Sequence, residues 1–171
     1  NLDLSTNLTE IYESCAPSCA TIVAFRGTTP YSSGSGFVID AENGYIATNH
    51  HVIADCDKFD VVFYDGTSYS ATRIGSDATT DLAVLKIEAN NLVQVEFGNS
   101  NNVKVGESVV AIGTPYEISL SGTMTCGIIS GIGRDLEITN SSGKVIKTMT
   151  LLQTDCSINP GNSGGPLFDM A

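Results

Sequence analysis

From Cys19 onward this sequence breaks into short β-rich runs, each cut off by a turn signal, with little helical spacing between them. Runs of this length, rich in Val, Ile, Thr, Tyr and Phe, are the mark of strands. The pattern predicts strands at 19–26, 36–40, 45–49, 58–64, 68–75 and 82–87. A second set is predicted at 95–98, 108–113, 123–130, 145–155 and 165–168. Hairpin turns are expected at Glu42-Asn43-Gly44 and Asp65-Gly66-Thr67, where Asn-Gly and Asp-Gly accept the positive φ of a tight reversal. Strands this short and evenly spaced indicate an all-β, antiparallel sandwich or barrel.

Only the beginning departs from this pattern. Over 8–16 the spacing is helical, with Leu8, Ile11, Tyr12 and Cys15 on one side, Thr9 or Asn7 as the expected cap and Pro17 as the stop. The expected organisation is a helical segment over 1–18, a first β unit over 19–98 and a second over 99–171. The polar stretch 98–104 is the expected linker between the two units, and no fixed-period repeat is present.

With 171 residues, 42% of them hydrophobic, the chain can build one sizeable core or two small ones sharing an interface. A net charge of −11 and only eight Lys and Arg residues argue against nucleic-acid binding, which needs cations on phosphates, and against an anionic membrane surface. No run approaches the roughly 18 apolar residues of a membrane span, so no membrane insertion is expected. The first residues lack the basic cluster and apolar run of a signal peptide. The chain starts on Asn1, so it is read as a processed product or an excerpt of a longer protein.

The five cysteines are Cys15, Cys19, Cys56, Cys126 and Cys156. They form no CxxC and no paired Cys/His knuckle, so no zinc site is expected. Buried small hydrophobes are the plainer reading of Cys15, Cys19 and Cys156. If one bridge forms, Cys126 to Cys156 is the favoured pair.

Chemistry enters with GNSGGPL at 161–167. Ser163 sits among glycines, which can present its hydroxyl on a tight turn. The N–H groups of Gly161 and Ser163 can form an oxyanion hole, although an ordinary Gly-rich hairpin would look the same. His50 and His51 are the two histidines, adjacent at the end of an apolar run. On a strand they would face opposite ways. Asp81 opens the apolar strand 82–87, where a carboxylate is costly unless paired. It is either a turn residue or the group that accepts the histidine's far N–H and sets its tautomer. The order His, Asp, Ser is that of chymotrypsin-type proteases.

SGSGFVID, GYIATNHHVI, TDLAVLKI, VGESVVAIGTP, TCGIISGIGR and QTDCSINPGNSGGPL resemble, in order, the successive motifs of the HtrA (Deg) family of trypsin-like serine proteases. The resemblance runs from Ser33 to Leu167. It selects His51 over His50 as base, maps the orienting acid to Asp81 and the nucleophile to Ser163, and maps the oxyanion donors to Gly161 and Ser163. It implies two perpendicular six-stranded β-barrels of chymotrypsin type with the triad in the cleft between them.

It further implies hydrolysis of peptide bonds in unfolded or misfolded polypeptides through an acyl-enzyme, after small aliphatic residues, with no metal or organic cofactor. A homotrimer built through the N-terminal segment and an extracytoplasmic setting, periplasmic or secreted, follow by the same analogy. Three features depart from the family: Cys156 where a small residue is usual, His50 at a variable position, and an end at Ala171, before the strands that close the second barrel. The second barrel is therefore expected to be incomplete. One alternative is a catalytically silent peptide-binding or chaperone module; another is an all-β binding domain in which GNSGG is only a turn.

Overall fold

The computed structural model describes residues 4–114 and 118–171. Helix α1 (Leu4–Cys15) leads into a 3₁₀ turn (Ala16–Ser18) that contains Pro17. Leu8, Ile11, Tyr12 and Cys15 are half-buried, whereas Glu10, Glu13 and Ser14 on the other side are exposed, as the helical spacing requires. The helix begins before Asn7 and Thr9, so neither stands at its start; the side chain of Asn7 lies outside the described residues.

Six strands then close into a barrel: β1 (Cys19–Arg26), β2 (Thr29–Asp40), β3 (Tyr45–Asn49), β4 (Lys58–Phe63), β5 (Ser68–Asp77) and β6 (Leu82–Ile87). Their order is β1-β2-β3-β6-β5-β4, and β4 returns to pair with β1. Alternation explains the closure. In β4, Phe59, Val61 and Phe63 point inward while Lys58 is exposed. Ile22, Val38, Ile46, Val61 and Leu85 are wholly buried at the centre, each stabilising the fold by about 1.5–3 kcal/mol. Gly44 and Gly66 take the positive φ of their turns, +70° and +84°.

The second unit is a sheet of four antiparallel strands, β7 (Ser108–Gly113), β8 (Thr123–Thr139), β9 (Val145–Thr154) and β10 (Leu167–Asp169), in the order β10-β7-β8-β9. It does not close. Its small core holds Val109, Ala111, Ile129 and Cys156. The architecture is thus all-β, with one closed barrel and one incomplete one, as expected. The two units meet at the wholly buried Thr21, whose hydroxyl bonds that of Thr114 and lies 2.8 Å from that of Ser121.

Several sequence expectations need correction. Residues 95–98 form no strand. β1 pairs with β2 only as far as Phe37, and the segment makes a single backbone bond to β2 just beyond that point, Val95 N–H to the Val38 carbonyl at 3.0 Å, which is too few for a ladder. Strand β8 runs on past Ser130 to Thr139. Gly131 and Gly133 look like turn signals but are absorbed as irregularities in the β8–β9 ladder, which shifts register between Ile129 and Gly131 and again before Arg134. No disulfide joins Cys126 to Cys156. All five cysteines are free; Cys126 is exposed, while Cys156 is buried with its thiol 3.7 Å from the Val109 carbonyl.

Candidate active site

His50 and His51 are not on a strand. A one-turn helix, α2 (His50–Ile53), follows β3 directly, so the two side chains diverge by about 100° rather than facing opposite ways. Val52 and Ile53, both buried, anchor that turn in the first barrel's core. Asn49 and His50 reach the residue just before β6: Asn49 Nδ2 donates to the Asp81 carbonyl at 2.8 Å, and the His50 N–H donates to the same oxygen at 3.0 Å.

Asp81 adopts φ +58°, a left-handed conformation that Asp tolerates better than most residues. There its carboxylate meets His51 twice. The His51 backbone N–H donates to Oδ1 at 2.9 Å, and ring Nδ1 lies 2.7 Å from Oδ2. An ionised carboxylate only accepts, so Nδ1 carries the hydrogen and Nε2 is left with its lone pair. The His51 side chain is 56% exposed and that of Asp81 only 26%, which puts the ring's outer nitrogen toward solvent and its inner one on the acid.

The loop that leads to Asp81 is organised by Asp77, whose carboxylate accepts from the Thr79 N–H and the Thr80 hydroxyl, both at 3.0 Å. The Thr79 bond first, then Thr80, holds the Asp77 carboxyl below the usual aspartate range, with a smaller contribution from His50. Lys147 on β9 crosses from the second sheet and donates to the carbonyls of Ala78 and Thr79, each at 3.1 Å.

Ser163 sits in a pair of tight turns between β9 and β10. The Asn162 N–H donates to the Asn159 carbonyl at 3.0 Å, and the Gly165 N–H to the Asn162 carbonyl at 2.9 Å. Among the described residues, the N–H groups of Gly161 and Ser163 donate to no acceptor, and no hydrogen bond joins Ser163 Oγ to His51. The loop is pinned to the first barrel by Ser35 of β2, which donates its N–H to the Ser163 carbonyl at 2.7 Å and its hydroxyl to the Gly161 carbonyl at 2.8 Å.

Close approach completes the arrangement. A Cβ on Gly34 would lie 2.7 Å from Val52 Cγ2 and 2.9 Å from the Ser163 carbonyl, so β2 runs flush between the His51 turn and the Ser163 loop. Gly164, at φ +89°, lies against the Ser35 carbonyl, Thr48 and the Asn49 backbone, leaving no room for a side chain. His51, Asp81 and Ser163 are therefore brought to one region, the junction of the two units. Ser35, Asn49, Asp77 and Lys147 went unremarked in the sequence. Ser35 and Asn49 at least lie inside recognisable motifs; Asp77 and Lys147 carry no local signal.

A cavity of about 760 Å³ lies elsewhere, between α1, the 94–98 segment and the last residues, lined by Ile11, Cys15, Val95, Phe97, Phe168 and Met170 among others. None of the three candidate residues lines it. No group of three or more His, Cys, Asp or Glu is placed to hold a metal among the described residues. No helix among them is long and apolar enough to cross a membrane.

Residues 34–171 match the model of the trypsin-like peptidase domain. The chain is 45% identical over 144 residues to the serine protease Do-like HtrA of Bacillus subtilis, covering 82% of this chain and 32% of the relative. It is 49% identical over 138 residues to a DegP-like protein of Rickettsia conorii named as a periplasmic serine endoprotease, covering 80% and 26%. Among solved structures, that of Deg5 superposes with a TM-score of 0.79 at 38% identity, covering 99% of this chain and 82% of the other. The chain thus spans about a third or less of the curated relatives it matches.

Proposed function

The chain belongs to the trypsin-like peptidase family, among relatives of HtrA and DegP type, and on that premise we propose that it is the catalytic unit of a serine endopeptidase that works through an acyl-enzyme. The observation that carries this reading is the two-point contact of His51 with Asp81, at 2.9 and 2.7 Å. It holds the ring in the tautomer whose free Nε2 is a base, next to the junction where Ser163 is presented.

In this reading each step is assigned to a residue of this chain. Nε2 of His51 takes the proton of Ser163 Oγ as that oxygen attacks the scissile carbonyl carbon. The carbonyl oxygen gathers negative charge, and the uncommitted N–H groups of Gly161 and Ser163 are the donors for it; one such donor is worth about 3 kcal/mol in the transition state. Asp81 stays ionised and steadies the imidazolium. The proton passes to the leaving amine, the C–N bond breaks, and the acyl group remains on Ser163. Water, deprotonated by His51 in turn, releases the acid and restores the hydroxyl.

The substrate class, unfolded or misfolded polypeptides cut after small aliphatic residues, rests on the family resemblance, as does assembly into a homotrimer. The periplasmic name of the Rickettsia relative supports an extracytoplasmic setting. No cofactor enters the scheme. The test is labelling by a fluorophosphonate, which traps an activated serine. The parent protein is expected to be labelled at Ser163 and to cleave an unfolded polypeptide, with both lost in Ser163→Ala. Equal turnover in parent and variant would remove Ser163 as nucleophile.

A further inference from the structure

Ser35 is only 1% exposed, and all of its hydrogen-bonding groups are engaged. Its N–H donates to the Ser163 carbonyl at 2.7 Å and its hydroxyl to the Gly161 carbonyl at 2.8 Å. That hydroxyl accepts from the Thr114 N–H at 2.9 Å, and its carbonyl accepts from the Thr48 hydroxyl at 2.7 Å. One buried residue thus ties β2, β3, the end of β7 and the Ser163 loop together.

The two carbonyls it grips belong to Gly161 and Ser163, the residues whose own N–H groups are free of internal acceptors. Gly161 stands at φ +102° and has no side chain, so nothing intrinsic fixes the peptide planes on either side of it. The bond from Ser35 Oγ fixes the plane after Gly161, and the bond from Ser35 N–H fixes the plane after Ser163. The Ser163 N–H lies in the plane between Asn162 and Ser163, whose carbonyl accepts from the Gly165 N–H. With the planes on either side of it held by Ser35, and the one before it also by the Asn162 to Asn159 turn, the direction of the Ser163 N–H is narrowed from both flanks and that of the Gly161 N–H from the plane that follows it.

We propose that Ser35 is a positioning residue for the oxyanion hole, holding Gly161 and Ser163 by their carbonyls so that their N–H groups converge on one point. The inference rests on the catalytic reading of Ser163 given above. It concerns rate rather than substrate binding, because the hole is used only as charge develops on the carbonyl oxygen. Removing the Ser35 hydroxyl also leaves the buried Thr114 N–H unpaired, so stability falls as well. The two effects separate once turnover is counted per active site.

The experiment uses the intact protein that contains this chain, in parent, Ser35→Ala and Ser35→Cys forms; the thiol keeps the volume but is a weak donor. Active sites are titrated with a fluorophosphonate, then kcat, KM and the inhibition constant of a peptide boronate, which places an oxyanion in the hole, are measured. The expected result is a kcat per titrated site lower by roughly 10- to 100-fold in both variants, somewhat less than the loss of a whole donor, with KM within about twofold and boronate affinity reduced by the same factor as kcat. A kcat per titrated site and a boronate affinity unchanged in Ser35→Cys, with only the melting temperature lowered, would overturn the inference and leave Ser35 as a brace. A parent that neither reacts with fluorophosphonate nor cleaves peptide would instead overturn the catalytic reading itself.

Discussion

Lys147 Nζ donates to the Thr79 carbonyl at 3.1 Å, fastening the second sheet's long hairpin to the loop that delivers Asp81. The companion bond to Ala78 makes the grip two-pronged. It acts on a segment already shaped by Asp77, so Asp81 reaches its left-handed conformation from a braced approach. Hydrogen bonds of this kind contribute about 0.5–1.5 kcal/mol net. Lys147→Met is expected to lower kcat by about three- to tenfold through a looser Asp81, with KM little changed. Lys147→Arg, which keeps two forked donors, restores it. Steady-state kinetics of the two variants checks this; equal losses in both would mean that the hairpin's shape, not its grip, is at work.

The pairing of Asp81 with His51 makes a sharper prediction. Asn at position 81 tolerates the same positive φ and keeps the same volume, so folding survives. It presents an NH₂ where one carboxylate oxygen was, which turns the imidazole to the opposite tautomer and removes the lone pair from Nε2. For Asp81→Asn, kcat is expected to fall by about 10⁴-fold, the scale on which a wrong tautomer disables a Ser-His-Asp triad, with the melting temperature within a few degrees of the parent. A tenfold loss or less would show that His51 does not depend on Asp81 for its tautomer.

The cysteines differ in reactivity because they differ in solvation. Burial first, and the neighbouring Cys15 second, push the Cys19 thiol from 9.0 up to about 12, and the thiolate is the form that alkylates. Cys126 is exposed. Iodoacetamide on the native protein is expected to modify Cys126 well before Cys19, read by peptide mass mapping. The same shift sets a pH dependence. The folded thiol keeps its proton where the unfolded one has begun to lose it, so this contribution to stability is complete below about pH 9 and declines as pH climbs toward 12. In a denaturant series, Cys19→Ala should show a shallower loss of stability over that alkaline range than the parent.

How much could be read in advance depended on how local the signal is. Strands β1, β3, β6 and β7 follow from composition and turn residues that lie within the strands or beside them. His51 and Asp81 could be paired because each stands in a short motif. Ser35 Oγ and the Gly161 carbonyl are 126 residues apart in sequence, and Lys147 and Thr79 are 68 apart. No pattern along the chain encodes such bonds; they exist only once two sheets are packed. The same holds for the 95–98 segment, whose composition suits a strand but which meets β2 through one backbone bond only, from Val95 to Val38. The helical turn at His50 was hidden because four residues are too few for periodicity to show.

Two glycines with positive φ offer a matched test of what the junction demands. Gly27, at φ +59°, has open space where a Cβ would go. Alanine there meets only the left-handed backbone penalty, about 1–2 kcal/mol. Gly164, at φ +89°, stands beyond the left-handed well and carries at least that backbone penalty, and its Cβ would also run into the Ser35 carbonyl and stand 2.5 Å from Thr48 Oγ1 and 3.2 Å from the Asn49 N–H nitrogen. These are backbone and buried atoms, and the Ser35 carbonyl is already engaged by Thr48. The loop must therefore move away from β2, which breaks the bonds from Ser35 to Gly161 and Ser163 and withdraws the nucleophile from His51. Gly27→Ala is expected to lower the melting temperature modestly with kcat within about twofold of the parent. Gly164→Ala is expected to lose kcat by at least about 10³-fold, since both the nucleophile and the donors beside it shift. Comparable kcat in the two variants would show that the Ser163 loop can act without lying flush on the first barrel.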